Sequence, residues 1–225
     1  MYPVWSPDGK QIAFSAYRKD HLDIFAKSSS GAGEETTLLE DAYHKYPRSW
    51  SADGRFLAYD REEKGTTRNQ IWILPLSGDR KPFAFHPSSF REQSAEFAPD
   101  GQWIAYRSDE SGTFQIYVAS FPGAQTKLQV SVSGGLEPAW RTDGKELFYL
   151  DLSGRLMAVD VRPIAGKLEL GTPRMLFRTH AQSPGVRPYD FSRGADRFVF
   201  SSTSESVNPS PFTLVVNWDA ELKKK

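Results

Sequence analysis

The stretch WSPDGKQIAF, Trp5 to Phe14, returns as WSADGRFLAY at Trp50 to Tyr59, FAPDGQWIAY at Phe97 to Tyr106 and WRTDGKELFY at Trp140 to Tyr149. A fifth, worn copy reads FSRGADRFVF at Phe191 to Phe200. The glycines Gly9, Gly54, Gly101, Gly144 and Gly194 mark intervals of 45, 47, 43 and 50 residues. A strand-like unit repeating at about 40–45 residues is the signature of propeller blades. Such a unit cannot bury both faces alone, so its neighbours must stack on it around an axis.

Working outward from the phrase, each unit reads as strands, four in each of the first four units and three in the fifth. First strands end on an aromatic anchor: residues 2–6, 47–51, 94–98, 137–141 and 188–192. Second strands follow the glycine at 11–15, 56–60, 103–107, 146–150 and 197–201. Third strands are read at 22–27, 70–74, 114–119, 155–160 and 212–217, and weaker fourth strands at 35–39, 82–85, 127–131 and 173–177. Segments such as QIWIL and QIYVA have the β-branched and aromatic content of half-buried strands. In Ser6-Pro7-Asp8-Gly9, Pro presets the turn, Asp caps its own backbone and Gly takes the left-handed position. The fifth copy places Asp196 after Gly194, which reads as a one-residue insertion and a turn built differently. The anchors Trp5, Trp50, Phe97, Trp140 and Phe191 read as wedges between blades.

The expected fold is all-β, a single propeller domain over 1–225 with units near 1–41, 42–88, 89–132, 133–181 and 182–225. Four units have all four strands, and the fifth lacks an outer one. The chain opens on an inner strand with no spare strand to fill that gap. This predicts part of a larger, six-bladed ring, with a complete five-bladed ring as the competing reading and an N-terminal domain or further blades missing.

Composition removes several functions. Lys plus Arg and Asp plus Glu are 28 each, so the chain has no basic field for nucleic acid. There is no Cys, which excludes thiolate catalysis and Cys-based zinc sites. No apolar run approaches the roughly 18 residues of a membrane span, and no signal peptide is visible. The nucleophile elbow, P-loop, zinc-protease, kinase and dinucleotide motifs are absent. His21, His44, His86 and His180 have no ligand spacing. The carboxylates Asp60, Glu62 and Glu63, and Asp109 with Glu110, read as loop acids. The single Asp of each repeated turn cannot build a calcium loop. No cofactor, metal or catalytic residue is expected.

One constellation remains. Segments entering the inner strands meet near the central channel and bring His44, Lys45, Arg48, Arg91, Glu92, Glu137, Arg187 and Tyr189. A channel mouth of mixed charge suits a polar peptide, a carboxylate or a partner loop.

The phrase WSPDGKQIAF followed by a DIF, QIW or QIY strand closely resembles the TolB-like, WD-repeat-like propeller repeat of bacteria. Members include periplasmic TolB, the propellers of prolyl-oligopeptidase-type serine peptidases, and sensor domains of signalling proteins. The ending PFTLVVNWDAELKKK is similar to the ends of propellers attached to bacterial serine/threonine kinases or winged-helix regulators. The resemblance implies a non-enzymatic module that binds a protein, peptide or ligand in a bacterial signalling or envelope protein, with a periplasmic or extracytoplasmic setting. The alternatives are a peptidase propeller without its hydrolase domain, and a structural spacer.

Overall fold

The computed structural model describes residues 2–62, 65, 68–164, 167–179, 187–192, 194, 195 and 197–201. Each repeated phrase folds as a hairpin joining the first two strands of a sheet. At the first copy, the Gly9 N–H donates to the Ser6 carbonyl at 2.9 Å, with Gly9 in the left-handed region at φ 69°. Lys10 N donates to Asp8 Oδ1 at 3.0 Å and Gln11 N to Ser6 Oγ at 2.9 Å, so both side chains of the phrase serve its own backbone.

The first sheet is β1 (Val4–Trp5), β2 (Gln11–Tyr17), β3 (Leu22–Ser28) and β4 (Thr36–Leu39), in chain order and antiparallel. The second is β5 (His44–Trp50), β6 (Phe56–Glu62), β7 (Asn69–Pro75) and β8 (Phe83–Ala84). The third is β9 (Glu92–Phe97), β10 (Trp103–Ser108), β11 (Gln115–Ser120) and β12 (Lys127–Gln129). The fourth holds β13 (Leu136–Trp140), β14 (Glu146–Leu150), β15 (Arg155–Ile164), β16 (Lys167–Leu170) and β17 (Arg174–Arg178). A last pair, β18 (Tyr189–Phe191) and β19 (Phe198–Phe200), begins the fifth unit. This is the all-β propeller architecture that the repeat implies. The expected third strand of the fifth unit, at 212–217, and His180 lie outside the described residues.

Three expectations change. The fifth hairpin has no insertion: Ala195 N donates to the Ser192 carbonyl and Arg197 N to Ser192 Oγ, with the same spacings as in the first copy. Ala195, at φ 54°, therefore occupies the left-handed position that glycine holds elsewhere, and Gly194 stands where Asp stands. The fourth unit has an unforeseen strand: β15 is ten residues long, pairing β17 along its first half and β16 along its second. Leu168 and Leu170 of β16 pack on the cluster that holds Trp103 and Trp140.

The third change concerns the wedges. Clusters fill the seams between successive sheets, such as Ile71, Ile73, Phe97, Ile104 and Tyr106 between the second and third. Phe97 and Trp140 are buried there, and Trp140 Nε1 donates across the seam to the Glu96 carbonyl at 3.1 Å. Trp5 is 58% exposed, because no described sheet precedes it to bury its ring.

Candidate functional site

The inner strands do not run straight. In the second, third and fourth sheets the pairing slips at one repeat position, between Pro47 and Ser49, between Gln93 and Glu96, and between Leu136 and Ala139. A bulge leaves a residue unpaired and re-aims its side chain. Here it falls two to three residues before each aromatic anchor. Ser94 (φ 59°) and Glu137 (φ 50°), both three residues before an anchor, are in the left-handed region, as is Tyr2 (φ 56°) at the same position of the first unit. Left-handed backbone without glycine costs of order 1–3 kcal/mol per residue and gathers at ligand-binding places.

These positions line one central cavity of about 570 Å³. Every unit contributes one to four residues before its anchor: Tyr2 to Val4, Pro47 and Arg48, Ser94 to Glu96, Glu137 and Pro138, and Arg187 to Asp190. Val199, Phe200 and Ser201 complete the wall. The volume falls within the range of small-ligand and peptide pockets, about 300–1,000 Å³.

Three ion pairs surround it. Arg48 Nε lies 2.6 Å from Asp60 Oδ2, Arg107 Nη1 3.1 Å from Glu137 Oε1, and Arg187 Nη1 3.4 Å from Glu96 Oε1. The first two are nearly or fully buried. Burial pushes the Asp60 and Glu96 carboxyls above the usual carboxylate range, against the pull of Arg48 and Arg187. It also lowers the affinity of Arg107 for its proton. At Arg48 and Arg187 burial works in that direction too. The carboxylates around Arg48, chiefly Asp60 and Glu137, and Glu96 beside Arg187 outweigh it and hold both guanidinium groups charged.

These contacts also clasp unit to unit. Ten residues after the anchor stand Ser15, Asp60, Arg107 and Leu150. Ser15 Oγ donates to the Lys45 carbonyl at 2.6 Å, Asp60 accepts from Ser94 N at 3.2 Å, and Arg107 pairs with Glu137. Each reaches the inner strand of the following sheet. Leu150 makes the contact apolar by packing with Tyr189, and the Tyr189 hydroxyl donates to the Glu137 carbonyl at 2.7 Å. Asp60 is therefore a fully buried clasp and not a loop acid.

The sequence-derived residues divide. Arg48, Glu137, Arg187 and Tyr189 meet at the cavity. His44, Lys45, Arg91 and Glu92 do not line it: they stand five or six residues before their anchors. His44 Nδ1 accepts from Leu22 N at 3.1 Å. Lys45 is fully buried, with Nζ 2.8 Å from Asp23 and 2.7 Å from Asp41. Arg91 pairs with Asp109 at 2.8 Å, and buried Glu92 lies 3.2 Å from His86 Nε2. Glu96, Tyr2 and Asp190 line the cavity and were missed; their distance to the anchor is the signal that would have found them. Among the described residues no three His, Asp or Glu side chains gather as a metal site. No described helix is long and apolar enough to cross a membrane.

The family model described as TolB beta propeller domain matches residues 1–204. The chain belongs to that family. The Tol-Pal system protein TolB of Francisella tularensis subsp. mediasiatica is 26% identical over 192 residues, covering 83% of this chain and 43% of that protein. An uncharacterized peptidase of Bacillus subtilis is 26% identical over 147 residues, 49% of this chain and 22% of its own length. The crystal structure of TolB from Acinetobacter baumannii superposes with a TM-score of 0.68 at 20% identity, over 91% of this chain and 49% of that one. Putative TolB from Agrobacterium tumefaciens gives 0.65 at 20% identity, over 77% and 63%. This TolB-family chain thus spans less than half the length of the curated TolB it matches.

Proposed function

We propose that this chain is a non-enzymatic binding propeller whose central cavity takes a short segment of a protein partner. The observation that carries this reading is the cavity wall. All five units build it from the same positions, yet the residues there differ from unit to unit. Pro3, Pro47, Pro138 and Pro188 give it rigid walls without N–H donors, which an apolar side chain can cover at little cost in ordering. Arg187, Glu96 and Asp190 supply mixed charge for the polar backbone and flanks of the segment.

Similarity to a Tol-Pal system protein supports an envelope setting, outside the cytoplasm. The kinase-like and regulator-like ending supports a sensor role within it. The test is photo-crosslinking in cells from a benzophenone side chain placed at Val199, in the wall, and at Leu152, exposed but outside it. Val199 is expected to yield one discrete protein adduct that Leu152 does not. Identical adducts from both positions, or none from Val199, count against the reading.

The match to a Bacillus peptidase favours a second reading, in which the propeller gates a hydrolase domain. A hydrolase encoded in the same reading frame would select it, and a kinase or winged helix there would reject it.

A further inference from the structure

Away from the cavity, Arg61 is treated unlike its peers. Arg48, Arg91, Arg107, Arg141, Arg155 and Arg187 are the other arginines that are at least partly buried, and each has a carboxylate within 3.4 Å. Arg61 has no carboxylate partner and no hydrogen-bond acceptor among the described residues. It has aromatic faces instead: its Cζ lies 3.5 Å from the Tyr43 ring centroid and 4.2 Å from that of Trp72.

The pleat explains the placement. Arg61 pairs across β5–β6 with Lys45 and across β6–β7 with Gln70. Tyr43 stands two residues before Lys45 and Trp72 two residues after Gln70, so both are diagonal neighbours on the face of Arg61. The guanidinium carbon thus lies over both rings. Trp72 is itself packed against the buried cluster of Ile24, Leu57, Tyr59 and Leu74. The guanidinium is held between packed side chains, and among the described residues no acceptor meets its N–H edge. That edge matches a planar two-oxygen anion.

We propose that the Tyr43–Arg61–Trp72 stack is a docking point for a side-chain carboxylate on an acidic segment of a partner protein. Charge favours a carboxylate over phosphate. Asp41 stands beside the stack, its Oδ1 accepting from Tyr43 N at 2.9 Å, so a dianion meets more repulsion than a monoanion. Arginine, tryptophan and tyrosine are also the residues that dominate binding energy at protein interfaces. The stack shares no residue with the central cavity and stands independently of the function proposed for it.

The test is an NMR titration of the ¹⁵N-labelled chain with acetylated tetraglutamate, following the Arg61 Nε–H and Trp72 Nε1–H signals. A saturable shift of both is expected, with acetylated tetraglutamine giving none. Arg61→Lys keeps the charge but loses the fork, and is expected to weaken binding at least about tenfold. The exposed hairpin variant Lys10→Gln, outside both sites, is expected to leave it unchanged. Three results would overturn the proposal: a shift no larger than at exposed Arg162, an equal response to tetraglutamine, or tighter binding of inorganic phosphate.

Discussion

Each repeat unit has two ends that answer to different constraints. At the hairpin end, the backbone turn bond recurs in all five units, with the Asp cap in the first four and the Ser Oγ cap in the first, second and fifth, at the same spacing of donors. At the bulge end, one to four residues before the anchor, the backbone irregularity recurs in the second, third and fourth sheets but the charged side chains do not: Pro47-Arg48, Ser94-Ala95 and Glu137-Pro138 have at most a proline in common. Geometry is thus repeated at both ends, and chemistry at only one. In a propeller built this way, the repeated phrase carries the fold, and recognition is free to reside where it is absent.

The seams that hold the two ends together give the largest expected effects. Trp140→Ala empties a buried seam and is expected to cost about 3–5 kcal/mol in denaturant unfolding. Trp5→Ala, at the same repeat position but exposed, is expected to cost no more than about 0.5 kcal/mol. Equal costs would show that the anchors do not act as wedges between sheets.

Glu137→Leu is next. It strands buried Arg107 and is expected to cost about 3–5 kcal/mol, with much of the loss recovered in the double variant carrying Arg107→Met. A double variant as unstable as the single would mean that Glu137 matters through its strained backbone and not through the clasp.

At the hairpin end the effects are smaller and of opposite sign. Gly144→Ala forces a side chain into the left-handed region and is expected to destabilise by about 1 kcal/mol. Ala195→Gly relieves that same strain and is expected to stabilise by up to about 1 kcal/mol. Destabilisation by Ala195→Gly would return the fifth hairpin to a different construction.

The smallest effect is in pH. The Glu92 carboxylate beside His86 raises the affinity of that ring for its proton, against burial. The pair therefore stabilises fully below the unfolded histidine value of about 6.5, and the contribution fades as pH rises through the higher folded value. The melting temperature of the wild type is expected to fall across this window by more than that of His86→Gln. Parallel curves would remove His86 from the account.

The fold was legible because one phrase, repeated with turn chemistry at fixed offsets, leaves a stacked antiparallel architecture as the solution. The misread fifth hairpin shows where that reading stops. Residue type points to Gly194 as the turn glycine, but the distance from Phe191 assigns the position to Ala195. The site was half legible, for a related reason. Charge near the inner strands singled out Arg48, Glu137 and Arg187, but also Lys45 and Glu92, which lie further from their anchors and are spent on seams. Bulges have no residue signature in this chain, so sequence could not tell which side chains turn toward the cavity. The β15–β16 extension escaped notice because its strands continue a pattern already assigned to one edge.

The division between a repeated scaffold end and a variable recognition end can be tested with one matched pair of charge reversals. Asp190 is exposed at the cavity wall, and Lys10 is exposed at a hairpin. The measurement is the affinity of the partner segment captured from the cavity for Asp190→Lys and for Lys10→Glu, by calorimetry, with melting temperatures as controls. The account predicts at least about a tenfold change for Asp190→Lys and less than about twofold for Lys10→Glu, with stability unchanged in both. Affinity that follows Lys10 and ignores Asp190 would contradict it.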